Sequence, residues 1–137
     1  MKSSIIKSLL FLVLAGTIFS GCSSHTGLEG RWVGCDVRKP LIDWTLTIHG
    51  DRFYLVREDL SMWYFGQFSL NNNCLLKKID LHFSNTHIKT HHEKTWLGIY
   101  EIDEDTLTFI TAAPGKSLRP LSFDQPQEAV IFSFVRS

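Results

Sequence analysis

This chain has little of what marks most chemistries. Its 137 residues hold three cysteines, four prolines and two methionines, and 14 basic residues balance 14 acidic ones. With no basic surplus, nothing in the composition points to nucleic acid, and there is no acidic tail to hold a polycation. No Gly-x-Ser-x-Gly, Walker-type or His-Glu-x-x-His signature occurs, and no Cys-x-x-Cys pair offers thiol chemistry. Repeats of about 20–50 residues are missing too, which excludes solenoids and propellers. The apolar run from Leu9 to Phe19 is too short to span a bilayer. Aromatic side chains, by contrast, are plentiful: 10 Phe, 4 Trp and 3 Tyr, the makings of a bulky core.

The first residues read as a leader. Lys2 and Lys7 form a basic start, Leu9 to Phe19 the apolar stretch, and the small Ser20 and Gly21 precede Cys22. Ser23-Ser24-His25-Thr26-Gly27 then continues as a polar tether. The expected organisation is a signal peptide over 1–21, a tether over 22–27 and one domain over 28–137. Losing Lys2 and Lys7 with the leader leaves that remainder with a slight negative balance.

From Gly30 onward the chain alternates with the period of a β-strand. The expected strands are Arg31–Val37, Ile42–His49, Arg52–Arg57, Met62–Leu70, Leu75–Phe83, Trp96–Ile102, Thr106–Thr111 and Glu128–Arg136. Gly50-Asp51, Asn71-Asn72-Asn73 and Asp103-Glu104-Asp105 are turn-forming clusters between them. About eight short strands joined by hairpin connections, with no convincing amphipathic helix, predict an all-β fold. An eight-stranded up-and-down antiparallel barrel is favoured, because closure leaves no edge.

Three resemblances add to this reading. Phe19-Ser20-Gly21-Cys22 resembles the lipobox of bacterial lipoproteins, which implies acylation of Cys22 and, with Ser23 following, an outer-membrane location. Leu28-Glu29-Gly30-Arg31-Trp32 resembles the Gly-x-Trp opening of lipocalins. That likeness implies that Trp32 plugs one barrel end beneath an arginine, with Arg136 the first candidate and Arg119 the second. Gly98-Ile99-Tyr100, Asp105-Thr106-Leu107, Ala113-Pro114-Gly115 and Arg119-Pro120 resemble the C-terminal half of a family of small lipocalin-like bacterial envelope domains. No biochemical activity is assigned to that family. The expectation is therefore a non-catalytic, membrane-anchored interaction or structural module that needs no cofactor.

The alternative is a carrier of a small apolar or anionic ligand. For that role Trp44, Tyr64, Trp96 and Tyr100 are the interior candidates, and Lys116 and Arg119 could present cations beside Pro114-Gly115. The rival reading of that loop is a lid that rejoins the barrel. Bulky inward residues favour a filled interior, with Tyr100 or Trp96 lying over the inward Gly66 and Gly98. Trp63 and Phe65 should face outward and could dock another envelope protein. His82, His87, His91 and His92, beside Glu93, could assemble a metal site or be a solvated loop. An oxidising envelope permits a Cys35–Cys74 bridge, although regular strands put the two near opposite ends.

Overall fold

Alternating apolar and polar residues build eight strands: β1 (Gly30–Asp36), β2 (Trp44–His49), β3 (Arg52–Arg57), β4 (Trp63–Asn72), β5 (Lys77–Thr86), β6 (Thr95–Asp103), β7 (Thr106–Thr111) and β8 (Val130–Arg136). The computed structural model describes residues 27–72, 76–124 and 130–137. Cys22, the leader and the tether before Gly27 lie outside the described residues, as do Cys74 and the stretch 125–129. Each strand pairs antiparallel with the next, and β1 pairs β8, so the sheet closes as an up-and-down barrel. Tight turns join β2 to β3 and β6 to β7, a long connection precedes β8, and closure satisfies the backbone groups that an open sheet would leave at its edges.

The two ends of the barrel differ. At one end Trp32 is fully buried and its indole N–H donates to the Leu28 carbonyl at 2.9 Å. Of the two arginines the sequence offered, Arg136 lies over this ring, its guanidinium carbon 4.1 Å from the centroid. The same guanidinium donates to the carbonyls of Glu29 and Gly27 at 2.9 and 2.8 Å. A delocalised cation over an indole face, with its remaining N–H groups on carbonyls, ties the chain's entry to its exit. This end is the plug. At the other end lie the β1–β2, β3–β4 and β5–β6 connections, the end of β7 and the start of β8, and there the described residues leave the barrel open.

Between the ends the interior is full. Leu46, Phe53, Leu55, Leu81, Tyr100 and Phe109 surround a void of only about 10 Å³, at the lower limit for one water molecule. Above it, Tyr64, Phe83 and Trp96 form a triangle with ring centroids 4.7–4.8 Å apart. Trp44, Phe109, Phe132 and Phe134 make a second aromatic group, linked to the first through Trp44 and Tyr64.

The inward glycines sit where backbones come close. A Cβ at Gly66 would sit 1.7 Å from the His82 carbonyl oxygen, because the β4–β5 backbones close up at a bulge. At Gly98 it would meet the Ile110 carbonyl oxygen at 2.8 Å, and at Gly34 the Ser133 carbonyl oxygen at 1.9 Å. Glycine at these places lets a small barrel bend sharply.

One feature of the outer wall departs from simple in–out alternation. Ile99 and Ile110 face outward yet are fully buried, packed with Leu76, Phe123 and Ile131. The segment 112–124 runs over them as a strap, and Arg119 fastens it. The Arg119 guanidinium donates to the Ile79 and Gly98 carbonyls at 3.1 and 2.7 Å and to Asp80 Oδ1 at 2.5 Å.

Candidate functional site

The open mouth is built where the register brings four aromatic residues to one level. Trp44 opens β2 opposite Arg57, the last residue of β3, and Tyr64 of β4 lies opposite Leu55. Trp96 of β6 pairs Leu81, and Phe132 of β8 pairs Asp36. Together with Ile42, Met62 and Val130 they line a cup of about 180 Å³. Asp36, Lys39 and Arg57 stand at its rim. Arg57 shares the inward face of β3 with Phe53 and Leu55, and Asp36 shares that of β1 with Trp32. Inward charges occur here at strand ends, where water reaches them.

The polar groups of the cup are unevenly matched. Arg57 Nε lies 3.2 Å from Asp59 Oδ2 but makes no hydrogen bond of acceptable geometry. Arg57 also donates to the Met62 sulfur at 3.5 Å, a weak acceptor. Trp96 Nε1 is buried with no hydrogen-bond partner among the described residues. Burial pushes the Tyr64 hydroxyl up to about 12, so it stays protonated as a donor at neutral pH.

The remaining sequence candidates are placed elsewhere. Tyr100 is sealed in the interior below the cup. Lys116 is exposed on the strap, with its backbone N–H on the Ala113 carbonyl, and the Gly115 N–H goes to the Thr95 carbonyl. Arg119 is engaged by β5 and β6. The Pro114–Arg119 loop clasps the outer wall through Arg119, and its Gly115 and Lys116 N–H groups already have acceptors.

The histidines disperse. His82 bonds Thr95 and Glu93, His92 meets the Thr86 carbonyl at 2.8 Å, and His87 Nδ1 accepts the Trp63 N–H at 3.0 Å. His91 stacks on Tyr64, and burial, then His87 and Lys94, hold its imidazole below the ordinary value. Among the described residues no three His, Cys, Asp or Glu side chains converge to hold a metal. Cys35 is a free thiol late on β1, while Asn72 and Leu76, which flank Cys74, sit at the plug end.

A second hollow lies outside the wall. Tyr54, Phe65 and Trp63 form an aromatic row with centroids 5.3–5.4 Å apart. Tyr54 and Phe65, with Arg52, Gln67 and His82, border a groove of about 420 Å³.

Comparison with protein-family models, with curated proteins and with solved structures finds no match for this chain.

The sequence reading named Trp44, Tyr64 and Trp96 but missed Arg57, Met62, Ile42 and Val130. For Arg57 a signal existed: counting by twos from Phe53 and Leu55 leads straight to it. Ile42 and Val130 contribute from loop and strand end, where alternation says nothing about height along the barrel.

Proposed function

We propose that this chain is a lipid-anchored, non-catalytic module of the bacterial envelope that binds through the open mouth of its barrel. The observation that carries this reading is the contrast between ends: one is plugged and tied to the incoming chain, the other is an aromatic cup. Gly27 is held at the plug by Arg136. The stretch from Ser23 to Gly27 extends at most about 18 Å. An acyl group on Cys22 therefore keeps the plug toward the bilayer and turns the mouth away from it. The filled interior argues against carriage of a long acyl chain inside the barrel. Among the described residues no nucleophile is paired with a base around the cup.

Labelled palmitate should enter the wild type and not Cys22→Ser, which should leave the membrane fraction. On vesicles, Lys39→Cys at the mouth should react with a bulky maleimide faster than Asp103→Cys at the plug. Failure of the wild type to incorporate label overturns the anchor, and reversed reactivity overturns the orientation. A second reading, docking of another envelope protein on the outer wall, is favoured by the aromatic row of Tyr54, Phe65 and Trp63. Mutating that row should then abolish a pull-down while sparing the cup.

A further inference from the structure

We infer that the cup takes a single small planar ring bearing a carboxylate, rather than an acyl chain or a cationic ring. This rests on the mouth being the binding surface and goes beyond it in naming the ligand's chemistry.

Size sets the first limit. Sites for drug-sized ligands measure about 300–1,000 Å³, and an apolar cavity of about 150 Å³ holds one benzene. The cup, at about 180 Å³, has room for one ring and a short substituent. Its floor is closed by Tyr64 and Trp96, and the void beneath amounts to about 10 Å³. An alkyl tail has nowhere to continue.

Shape sets the second. Trp44 and Tyr64 are near-parallel, 23° apart, while Phe132 stands edge-on to Trp44 at 84°. Such walls offer both face and edge to an incoming ring, the two arrangements aromatic quadrupoles favour. A flat ligand gains more from them than a flexible chain, which must also give up rotamer freedom.

Polarity sets the third. The buried groups of the cup's lining that have no hydrogen-bond partner among the described residues, Trp96 Nε1 and Arg57 Nε, are both donors. Lys39 adds a second cation at the rim and makes no ion pair among the described residues. The acid that lines the cup, Asp36, already accepts the Arg38 backbone N–H at 3.0 Å. Arg57 Nη1 rests on a thioether that a carboxylate oxygen readily displaces. Asp59 is ion-paired with Arg57 Nε at 3.2 Å outside hydrogen-bond geometry, a contact that a planar anion on the guanidinium would share or displace.

The test uses the full-length protein in lipid nanodiscs and follows tryptophan fluorescence, since Trp44 and Trp96 line the cup. Benzoate, benzyl alcohol, benzylammonium and hexanoate are titrated in parallel. Benzoate should bind at least tenfold tighter than benzylammonium or hexanoate. Arg57→Gln should lower benzoate affinity to that of benzyl alcohol while leaving benzyl alcohol unchanged. Lys39→Gln, at an exposed site that folding does not need, should weaken benzoate several-fold. Equal or tighter benzylammonium binding overturns the carboxylate assignment, and equal hexanoate binding overturns the ring. If no ring probe binds, the mouth reading itself falls.

Discussion

Replacing Gly66 by alanine adds one methyl group, yet the structure makes it a severe change. The new Cβ would lie 1.7 Å from the His82 carbonyl oxygen, 2.8 Å from its carbon and 3.1 Å from the Ser84 nitrogen. All three are main-chain atoms, so no side chain can swing aside. Strand β5 must move away at its bulge and give up local pairing with β4. Overpacking of a core costs about 1–3 kcal/mol, and the lost ladder contacts place this variant at about 3 or above. For a domain of this size that is a drop of roughly 12 °C in melting temperature. Gly50→Ala is the control: its φ is +61° and nothing lies within 4 Å, so only backbone strain of about 1–2 kcal/mol applies. Urea and thermal melts followed by near-ultraviolet circular dichroism measure both. A Gly66→Ala protein that melts within about 2 °C of wild type would show that the strands do not approach as described.

Other consequences can be measured in the same way. Trp32→Ala should cost about 3–5 kcal/mol, since a fully buried indole and its contact with Arg136 are both lost; a urea midpoint near wild type would contradict the plug. Arg119→Ala should free the strap and expose Ile99 and Ile110, read as new protease cleavage within 112–124 while the barrel's circular dichroism persists; unchanged cleavage would place the fastening elsewhere. Arg119→Lys should not restore it, because one ammonium cannot serve two carbonyls and a carboxylate in fixed directions. His91 titrates lower in the fold than in the unfolded chain, so the unfolded chain takes up its proton first. The stability from its neutral ring is complete above about pH 6.5 and is lost as pH falls below that value. A proton NMR midpoint for His91 at or above 6.5 would refute this, as that is the ordinary value.

How much the sequence disclosed follows from what a period of two can encode. It assigns a face to each residue, and for Trp44, Leu46 and Ile48, or Phe132 and Phe134, the face was enough to place them in the core. It cannot tell which residues share a level, because level depends on the stagger between neighbouring strands. Trp44, Tyr64, Trp96 and Phe132 meet at the mouth through that stagger, while Tyr100, on the same face of β6 as Trp96, falls below. Nor does alternation separate an outward residue in water from one beneath a strap. Ile99, Ile110 and Ile131, apolar on the outer face of three adjacent strands, were the available sign of a covering segment. The loop's Pro114-Gly115 and Arg119-Pro120 drew attention to the stretch and did not say which surface it covers. The carbonyls of Ile79 and Gly98 and the carboxylate of Asp80 reveal where Arg119 goes.

The pairing of the first strand with the last has a consequence in time. Trp32 and Asp36 of β1 find their partners at Arg136 and Phe132, and the Ser137 N–H donates to the Arg31 carbonyl at 2.9 Å. Every other ladder can form between neighbours as the chain lengthens, but this one joins residues about a hundred positions apart. Until Arg136 arrives, the Trp32 ring has no cation above it, and β1 and β7 are both open edges able to pair with strangers. The plug is therefore completed only once β8 has been made, after every other ladder. A chain stopped at Ser133 would remain an unfinished sheet, while a chain threaded unfolded across a membrane would be held from closing until β8 had passed.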